Sequence, residues 1–536
     1  MTTRSETPSA PDRLTVHREV ERKYVADDSF EVPPLRELMA GTDGRRNDEV
    51  APVVEAEPIR QRLAATYFDT ADLRLASTGL TLRRRTGGDD AGWHLKVPAG
   101  SDARSEVRLP LGRGARTVPS SLQKMVWAST FGAALRPVAE IVTERTVRRL
   151  VDVTGAVVAE VADDRVTARR LLPTEGLGDA TTAATSWREI EVELVDGDVD
   201  LLSAVDSRLR ERGLHQAPQA SKLAQLLDLP PSDSPGPGKS QTLTVSSSGG
   251  EVLLAHLREQ VQQVRAHDLP VRLDAPDAVH KMRVATRRLR SALTTFKPLV
   301  AAEVARSLGG ELKWMAGELG AARDAEVMRD RVRAAVEGAV VPADQAATAA
   351  DAELVQVYRE AHERVLAELD GERYHALLSA LEQLVTAPPL TKRAAAKAGK
   401  ALPPLVARSY TKVRRIVEEA DATPADDERE ELMHDARKAA KRARYAAESV
   451  SRIFGSDAIA FAKAMEAVQE ALGEHQDSVL TRERLRDLAR RTSSTDAAFL
   501  YGRLHALEEA GVQQSQRHFD AAWEAAGRKR LHRWLR

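Results

Sequence analysis

Three ionisable side chains occupy alternate positions of the first strand-like segment, Glu19, Glu21 and Lys23. Alternate residues of a β-strand lie on the same face, so this segment presents two carboxylates and an ammonium group together. A half-buried strand ordinarily presents apolar side chains on the face that meets the core. Hard divalent cations prefer carboxylate oxygens, and lysine binds phosphate as a point charge. The segment therefore predicts a β-structure whose inner face binds a metal ion and a phosphate-rich anion.

More charged strand faces follow this segment. Arg83 and Arg85 share one face, and Glu189, Glu191 and Glu193 alternate with apolar residues along another. Solvated outer faces of antiparallel strands would explain any one of these segments. Like charges at such separations repel, however, unless a cation lies between them. Acidic groups for a metal combined with Arg and Lys for phosphate are typical of a phosphoryl-transfer site.

The composition excludes several classes of site. The chain has 536 residues, too many for one ordinary core, so two or more domains are expected. It has no cysteine, which excludes disulfides, thiolate zinc sites and cysteine nucleophiles and fits a reducing cytoplasm. We see no apolar signal core in the first residues and no membrane span of about 20 apolar residues. Lys and Arg (79) balance Asp and Glu (80), but local basic blocks still permit an anionic partner.

Changes of pattern divide the chain into four segments. Residues 1–13 are polar and are predicted to form a disordered tail. Residues 14–228 carry short alternating runs split by Gly, Asp and Pro, which predict mainly β-strands. Residues 229–250 are rich in Pro, Gly and Ser and predict a linker, and residues 251–536 have helical periodicity almost throughout. We expect a multi-domain α and β protein with an α+β domain followed by an all-α domain.

The helical segment contains an internal repeat of basic residues. His280, Arg283, Arg287 and Arg290 fall on one face of a helix, and the pattern recurs as His434, Arg437, Lys441 and Arg444. Like charges at this spacing destabilise a helix unless an anion is present. A solvated basic face would explain one copy, and nucleic acid is an alternative anion. No helix-turn-helix, zinc or aromatic stacking signature supports nucleic acid, and so we do not expect it.

The strand segments resemble the CYTH family, also called triphosphate tunnel metalloenzymes. Six elements carry the resemblance, in matching order over residues 14–228: Glu19-Val20-Glu21-Arg22-Lys23, Tyr67-Phe68-Asp69-Thr70, Leu82-Arg83-Arg84-Arg85, Trp93-His94-Leu95-Lys96, Arg104-Ser105-Glu106 and the acidic run 189–194. The resemblance implies an N-terminal antiparallel tunnel or barrel of eight β-strands. It also implies that this barrel binds a triphosphate with Mg²⁺ or Mn²⁺.

The resemblance further implies roles for individual residues. The metal ligands would be Glu19 and Glu21 with one or more of Glu189, Glu191 and Glu193. The triphosphate would be held by Lys23, Arg83, Arg85, Lys96, Arg145 and Lys222. Lys23 would also orient or activate the attacking water, so that Glu19, Glu21 and Lys23 form the catalytic set. Arg145 and Asp163 lie in segments that match the family pattern only loosely.

The helical segment resembles the CHAD domain, which is named for its histidines and is often joined to CYTH. The basic repeat carries this resemblance together with the segment Trp314-Met315-Ala316-Gly317-Glu318-Leu319-Gly320 and the pair Arg323-Asp324, over residues 251–536. It implies duplicated four-helix bundles around a basic groove that binds polyphosphate through the eight repeat residues. Gln476 replaces Arg323 in the second copy. Arg408, Lys412 and Arg415 either extend this surface or are merely solvated.

These observations lead to one main hypothesis and two alternatives. The main hypothesis is a metal-dependent hydrolase of inorganic triphosphate or short polyphosphate, with a helical domain that binds polyphosphate. Such a protein would be cytoplasmic and associated with polyphosphate granules, without a membrane partner. The first alternative is a non-enzymatic polyphosphate receptor or granule scaffold. The second is another CYTH activity, thiamine triphosphate hydrolysis or cyclic AMP formation.

Overall fold

The chain folds into two compact units, Met1–Ser240 and Gln241–Arg536. The computed structural model describes residues 14–39, 54–98, 103–112, 117–171, 184–195, 199–219, 221–229, 242–337, 345–510 and 512–536. The predicted tail and most of the predicted linker lie outside these residues. The domain boundaries given above therefore stay predictions. Among the described helices, none is long and apolar enough to cross a membrane.

Antiparallel strands close into a barrel in the first unit, as predicted. The strands are β1 (Thr15–Ala26), β2 (Val54–Glu55), β3 (Ile59–Asp69), β4 (Thr81–Thr86), β5 (Gly92–Pro98), β6 (Ala103–Leu109), β7 (Arg136–Val151), β8 (Val157–Arg170), β9 (Thr185–Leu194) and β10 (His215–Gln216). Their order around the barrel is β1–β6–β5–β4–β3–β7–β8–β9, and β9 pairs again with β1. The first half of β1 pairs with β6 and its second half with β9, which closes the eight-stranded ring.

The apolar core of this unit lies mainly outside the barrel. Six helices are described here: α1 (Leu35–Met39), α2 (Arg74–Ser77), α3 (Ser120–Met125), α4 (Trp127–Thr130), α5 (Val199–Glu211) and α6 (Lys222–Leu227). Residues of β1, β8 and β9 that alternate with the charged ones, such as Tyr24, Val161 and Ile190, pack against α1 and α5. Because the outer faces of these strands are apolar and covered, the inner faces are free to be polar.

Helix α6 closes one end of the barrel. Its Leu223 and Leu226 join a buried cluster with Tyr67 of β3, Ile141 of β7 and Val166 of β8. Ile141 lies four residues from Arg145 and Val166 lies two residues from Asp164, so by strand alternation the cluster and these charged residues share the inner face. The interior is therefore apolar at the end filled by α6 and charged beyond it.

The second unit is helical, as predicted. Its helices are α7 (Gly249–Arg272), α8 (Ala278–Thr295), α9 (Ala302–Glu337), α10 (Gln345–Leu369), α11 (Glu372–Thr386), α12 (Ala398–Ala401), α13 (Pro403–Ala422), α14 (Asp426–Arg491), α15 (Thr495–Ala510) and α16 (Val512–Ala526), with 3₁₀ turns at Lys297–Leu299, Lys392–Ala395 and Lys529–Leu535. Gly455 has a φ of 55° and divides α14 into two helical segments. This left-handed conformation suits glycine and produces the turn.

The internal repeat corresponds to two sets of packed helices. Helices α7 to α10 pack in sequence, and α13, the two segments of α14 and α15 do the same in the second half. The halves meet where α9 and α10 face α14 and α15, through a buried cluster that includes Met328, Leu354, Leu485 and Tyr501. Helices α8 and α14, which carry the basic repeat, are also in contact.

Candidate functional site

Strands β1 and β9 bring five ionisable residues to the inner face of the barrel. Glu21 lies opposite Glu193 and Lys23 lies opposite Glu191 in their antiparallel register. These four side chains and Glu19 line a cavity of about 270 Å³ inside the barrel, the barrel cavity. Glu19 and Glu191 are buried. The period-two alternation that marked these residues in the sequence therefore places their side chains in the same barrel cavity.

Lys222 of α6 lies in the middle of a second acidic group. Its Nζ atom is 2.7 Å from carboxylate oxygens of Glu189 and Glu191 and 2.8 Å from Asp164 Oδ2. One oxygen of each of these carboxylates lies within 4.8 Å of the others. All four residues are buried. The ammonium group thus occupies the position that a cation would take between the three carboxylates.

Arg145 pairs with an acid that the sequence analysis did not single out. Arg145 forms two hydrogen bonds with Asp164, at 2.7 and 2.6 Å, and also bonds Glu191. Asp163, the residue considered from sequence, points outward and pairs with Arg188 at 2.8 Å. A shift of one residue moves a side chain to the opposite face of a strand, and the acidic pair 163–164 offered no signal to choose between them.

The remaining predicted cations each meet an acid on the inner face. Arg83 Nη2 is 3.5 Å from Glu106 Oε1, Lys96 bonds Glu19, and Arg85 pairs with Asp90. All three cations line the barrel cavity. Sequence reasoning did not assign a role to several other lining residues: Tyr67, Asp89, Asp90, Arg104, Arg108, Arg149 and Glu160. Tyr67 stood inside a recognised motif, which was a usable signal, and its hydroxyl lies 3.5 Å from Arg83 Nη1.

The acids of the barrel cavity are unevenly neutralised. Burial and the charges of Glu19 and Glu21 raise the pKa of Glu193 to about 7. Burial opposes ionisation of Glu21 as well, but Lys23 and Lys96 outweigh it and lower its pKa to about 2. Glu21 Oε1 is nevertheless buried without a hydrogen-bond partner among the described residues. Of these acids, Glu193 is the one whose negative charge the surrounding cations leave unneutralised, and a bound cation would stabilise that charge.

Lys23 is held as an ammonium group. Burial disfavours its charge, but Glu191 and Glu21 outweigh burial and raise its pKa above the ordinary value. Its Nζ bonds Glu191 and lies 3.3 Å from Glu21 Oε1. A permanently protonated amine donates hydrogen bonds and does not accept a proton. Lys23 is thus suited to hold a phosphate oxygen or orient a water molecule, and not to act as a general base.

In the second unit, α8 and α14 carry the basic repeat to one groove with a volume of about 550 Å³. We call it the basic groove. It is lined by His280, Arg283, Arg287, Arg323, Asp324, Val327, Met328, His434, Arg437, Lys438, Lys441, Thr481 and Arg484. Six of the eight residues predicted from the repeat are in this set. Arg484 was missed because it lies outside the repeated motif, more than 40 residues beyond Lys441.

The other two predicted residues lie elsewhere. Arg444 forms ion pairs at 2.7 Å with Glu448 and with Glu466. Arg290 lies near Arg442. Burial first and the charge of Arg290 second lower the pKa of Arg442. Neither Arg444 nor Arg290 lines the basic groove. A 100° step per residue gave all four positions of each copy similar directions, but it could not reveal that Glu466 engages the fourth position of the second copy, Arg444.

Positive charge accumulates in the basic groove. Burial, and then Arg287, Arg437 and Arg283, lower the pKa of Lys441 to about 7. Burial and neighbouring arginines also lower the pKa of Arg287. The pKa values of His280 and His434 lie below 6.5 for the same reasons, burial first and nearby cations second. The groove therefore stabilises any anion that enters it.

Family models match both units of the chain. The CYTH domain model matches residues 17–226 and the CHAD domain model matches residues 255–486. The chain belongs to the CYTH–CHAD fusion proteins. CYTH domains are typically metal-dependent enzymes that act on triphosphates, which supports a CYTH-family function for this chain. This confirms the resemblance expected from the sequence in both halves.

Two relatives and two solved structures are similar to this chain to different extents. Two proteins of Mycobacterium tuberculosis, "Uncharacterized protein MT2285" and "Uncharacterized protein Rv2226", are each 35% identical over 531 residues, which covers 96% of this chain and 97% of theirs. The CHAD domain from the plant Ricinus communis is 22% identical, with a TM-score of 0.43 over 55% of this chain and 96% of that one. A putative adenylyl cyclase from Hippeastrum, HpAC1, whose description reports a dominant triphosphatase activity, is 17% identical, with a TM-score of 0.23 over 40% of this chain and 100% of that one.

Proposed function

We propose that the CYTH domain hydrolyses inorganic triphosphate, or a related short phosphate chain, with Mg²⁺ or Mn²⁺. The observation that carries this proposal is the lining of the barrel cavity, where an acidic face on β1 and β9 meets cations from the surrounding strands and α6. Acids suit the metal, and Arg and Lys suit the phosphate oxygens. A cavity with buried walls of this kind strengthens both interactions, because the effective dielectric constant there is lower than in bulk water.

Of the two acidic groups, Glu19, Glu21 and Glu193 fit a metal ion best. The group of Asp164, Glu189 and Glu191 is already neutralised by Lys222 and Arg145. In the other group, Lys96 bonds Glu19 and Lys23 lies beside Glu21, but the raised pKa of Glu193 indicates that its charge is not neutralised by the surrounding cations. A divalent metal bound there would neutralise charge on the phosphate chain and lower the pKa of a bound water molecule.

The cationic residues would position the substrate. Arg83, Arg85, Lys96 and Arg145 would exchange their present carboxylate partners for phosphate oxygens, which they bind with similar geometry. Lys23, as an ammonium group, would orient the attacking water or hold the terminal phosphoryl group. Water would attack the terminal phosphorus in line, the bond to the bridging oxygen would break, and orthophosphate and pyrophosphate would leave.

Phosphate release from inorganic triphosphate tests this proposal. We expect turnover with Mg²⁺ or Mn²⁺ that is abolished by a chelator and by the double variant Glu19→Ala/Glu21→Ala. Glu140→Ala is the matched control, because Glu140 is an exposed acid on β7 that pairs with Arg169 outside the cavity. Absence of turnover with every metal and triphosphate, alongside tight polyphosphate binding, would favour the receptor alternative.

We further propose that the CHAD domain binds inorganic polyphosphate in the basic groove. Six basic repeat residues from α8 and α14 line a single groove, and the lowered pKa values of Lys441 and Arg287 indicate unneutralised positive charge. A linear polyanion carries many charges along its length and matches such a surface. Replacing Arg283, Arg287, Arg437 and Lys441 with alanine is expected to abolish binding and to spare triphosphatase activity.

A second set of basic residues offers a matched control for charge removal. Arg408, Lys412 and Arg415 lie at exposed positions of α13 and do not line the basic groove. Their replacement with alanine removes three positive charges and is expected to change polyphosphate affinity less than twofold. Equal losses from both sets would indicate a non-specific electrostatic effect and contradict the groove assignment.

A further inference from the structure

A glycine lies against an arginine of the basic groove in each half of the CHAD domain. Gly320 of α9 faces Arg283, and Gly473 of α14 faces Arg437. The two glycines occupy equivalent places in the internal repeat, each after a leucine and inside a helix. Glycine in a helix interior costs about 1 kcal/mol relative to alanine. The feature of packing that the two positions share is the neighbouring arginine of the basic groove.

The two glycines differ in how closely the guanidinium group approaches. A methyl group at position 473 would lie 3.1 Å from Arg437 Nη2 and 3.3 Å from its Nε. At position 320 the corresponding distances to Arg283 Nη2 and Nε would be 3.7 and 3.6 Å, an ordinary van der Waals contact. An alanine would thus fit at 320, whereas at 473 it would push the guanidinium group by a few tenths of an ångström.

We propose that Gly473 is a positioning residue for polyphosphate. The absence of a side chain lets the Arg437 guanidinium lie against the helix backbone in the place from which it lines the basic groove. Guanidinium binds phosphate through two parallel hydrogen bonds, and such bidentate contacts depend on geometry. The inference rests on the proposed polyphosphate binding, and it adds that one half of the groove is fitted more tightly than the other.

Three glycine-to-alanine variants of the full chain test this inference by calorimetric titration with polyphosphate of defined length. Gly473→Ala is expected to weaken binding by about three- to tenfold, since a charge-assisted hydrogen bond is only partly lost. Gly320→Ala and Gly317→Ala are expected to stay within about twofold. Gly317 is the matched control, because a methyl group there meets nothing within 4 Å. Alanine favours the helix, so all three variants are expected to fold.

A double-mutant cycle with Arg437→Ala separates positioning from a general effect on the helix. If Gly473 acts through Arg437, then Gly473→Ala has no further effect on affinity in the Arg437→Ala background. In the native background it also lowers the slope of log affinity against log salt concentration by up to about one, as expected for one lost phosphate contact. An equal loss of affinity in both backgrounds, or no loss at all in Gly473→Ala, would overturn the inference.

A ligand-free measurement keeps the inference apart from the proposed function. The Nε–H resonance of Arg437 is expected to shift in Gly473→Ala and to stay unchanged in Gly317→Ala, without any polyphosphate present. If the native protein did not bind polyphosphate, the proposed function of the CHAD domain would fail. The resonance would then still decide whether Gly473 positions Arg437, and an unchanged signal would contradict it.

Discussion

Replacing Lys222 with methionine tests whether its ammonium group is the built-in counter-ion of three buried carboxylates. Methionine keeps much of the length and volume of the lysine side chain and removes its charge. Asp164, Glu189 and Glu191 would then remain together with only Arg145 and Lys23 as cationic neighbours. Because these carboxylates are buried, water cannot replace the lost partner without opening the structure.

The expected loss of stability is large. Removal of one partner from a buried ion pair costs about 3–5 kcal/mol, and Lys222 makes three such contacts at 2.7–2.8 Å. The vacated position would be a cluster of carboxylate oxygens, which Mn²⁺ or Mg²⁺ prefers. At a metal concentration 100 times the dissociation constant, binding would return about 2.7 kcal/mol. The variant should therefore be unstable without metal and largely rescued with it.

Hydrogen exchange of peptides from β8 and β9 measures this effect within the first unit of the full chain. Lys124→Met is the control, since Lys124 is exposed on α3 and its replacement is expected to change stability by less than about 0.5 kcal/mol. Protection in the Lys222→Met variant should fall by two to three orders of magnitude, at about 1.4 kcal/mol per factor of ten, and recover with Mn²⁺. Native protection without metal in this variant would refute the counter-ion argument.

Three further predictions concern the two sites. Tyr67→Phe removes a hydroxyl 3.5 Å from Arg83 Nη1 in the barrel cavity, and should lower kcat/KM for triphosphate about tenfold; an unchanged value would remove Tyr67 from the site. Arg444→Ala should weaken polyphosphate binding less than twofold and Arg287→Ala at least about tenfold, because carboxylates already engage Arg444; equal losses in a filter-binding assay would contradict this. Polyphosphate affinity should fall as pH rises above about 7, because Lys441 gains a proton when the anion raises its pKa, and titrations of Lys441→Arg should show a flatter dependence.

The control for the pH prediction uses the other titratable groups that face the basic groove. His280 and His434 have pKa values below 6.5 in the free protein, so they too would take up protons when an anion binds. The slope that remains in Lys441→Arg measures their contribution. A slope in that variant equal to the native slope would assign the whole pH dependence to the histidines and contradict the role of Lys441.

Period-two alternation predicted the barrel and most of its inner face. Glu19, Glu21 and Lys23 needed no partner strand to be recognised, because their spacing alone fixed a common face. Asp164 could not be separated from Asp163 in this way, since adjacent acids satisfy either register. The contacts of Lys222 with the three buried carboxylates were also inaccessible from the sequence. They depend on where α6 enters the barrel and not on a local pattern.

In the helical unit, the repeat predicted which helices form the groove but not where the groove ends. The charges of Arg283, Arg287, Arg437 and Lys441 were visible as stripes with the right spacing. The pairing of Arg444 with Glu466 depends on the packing of the α14 segments about Gly455, and nothing in the basic motif encodes that geometry. Spacing thus identified residues that line one groove, whereas the extent of that groove required tertiary structure.

The position of α6 at one end of the barrel has a consequence for the shape of molecules that enter it. Leu223 and Leu226 are buried among inner-face residues at that end of the barrel, so under the proposed function a linear phosphate chain would enter from the other end with its terminus first, and its products would leave the same way. Cleavage would then be end-on, and the interior linkages of a long chain would be reached only after successive trimming. A cyclic trimer of phosphate has no terminus to insert and would be spared.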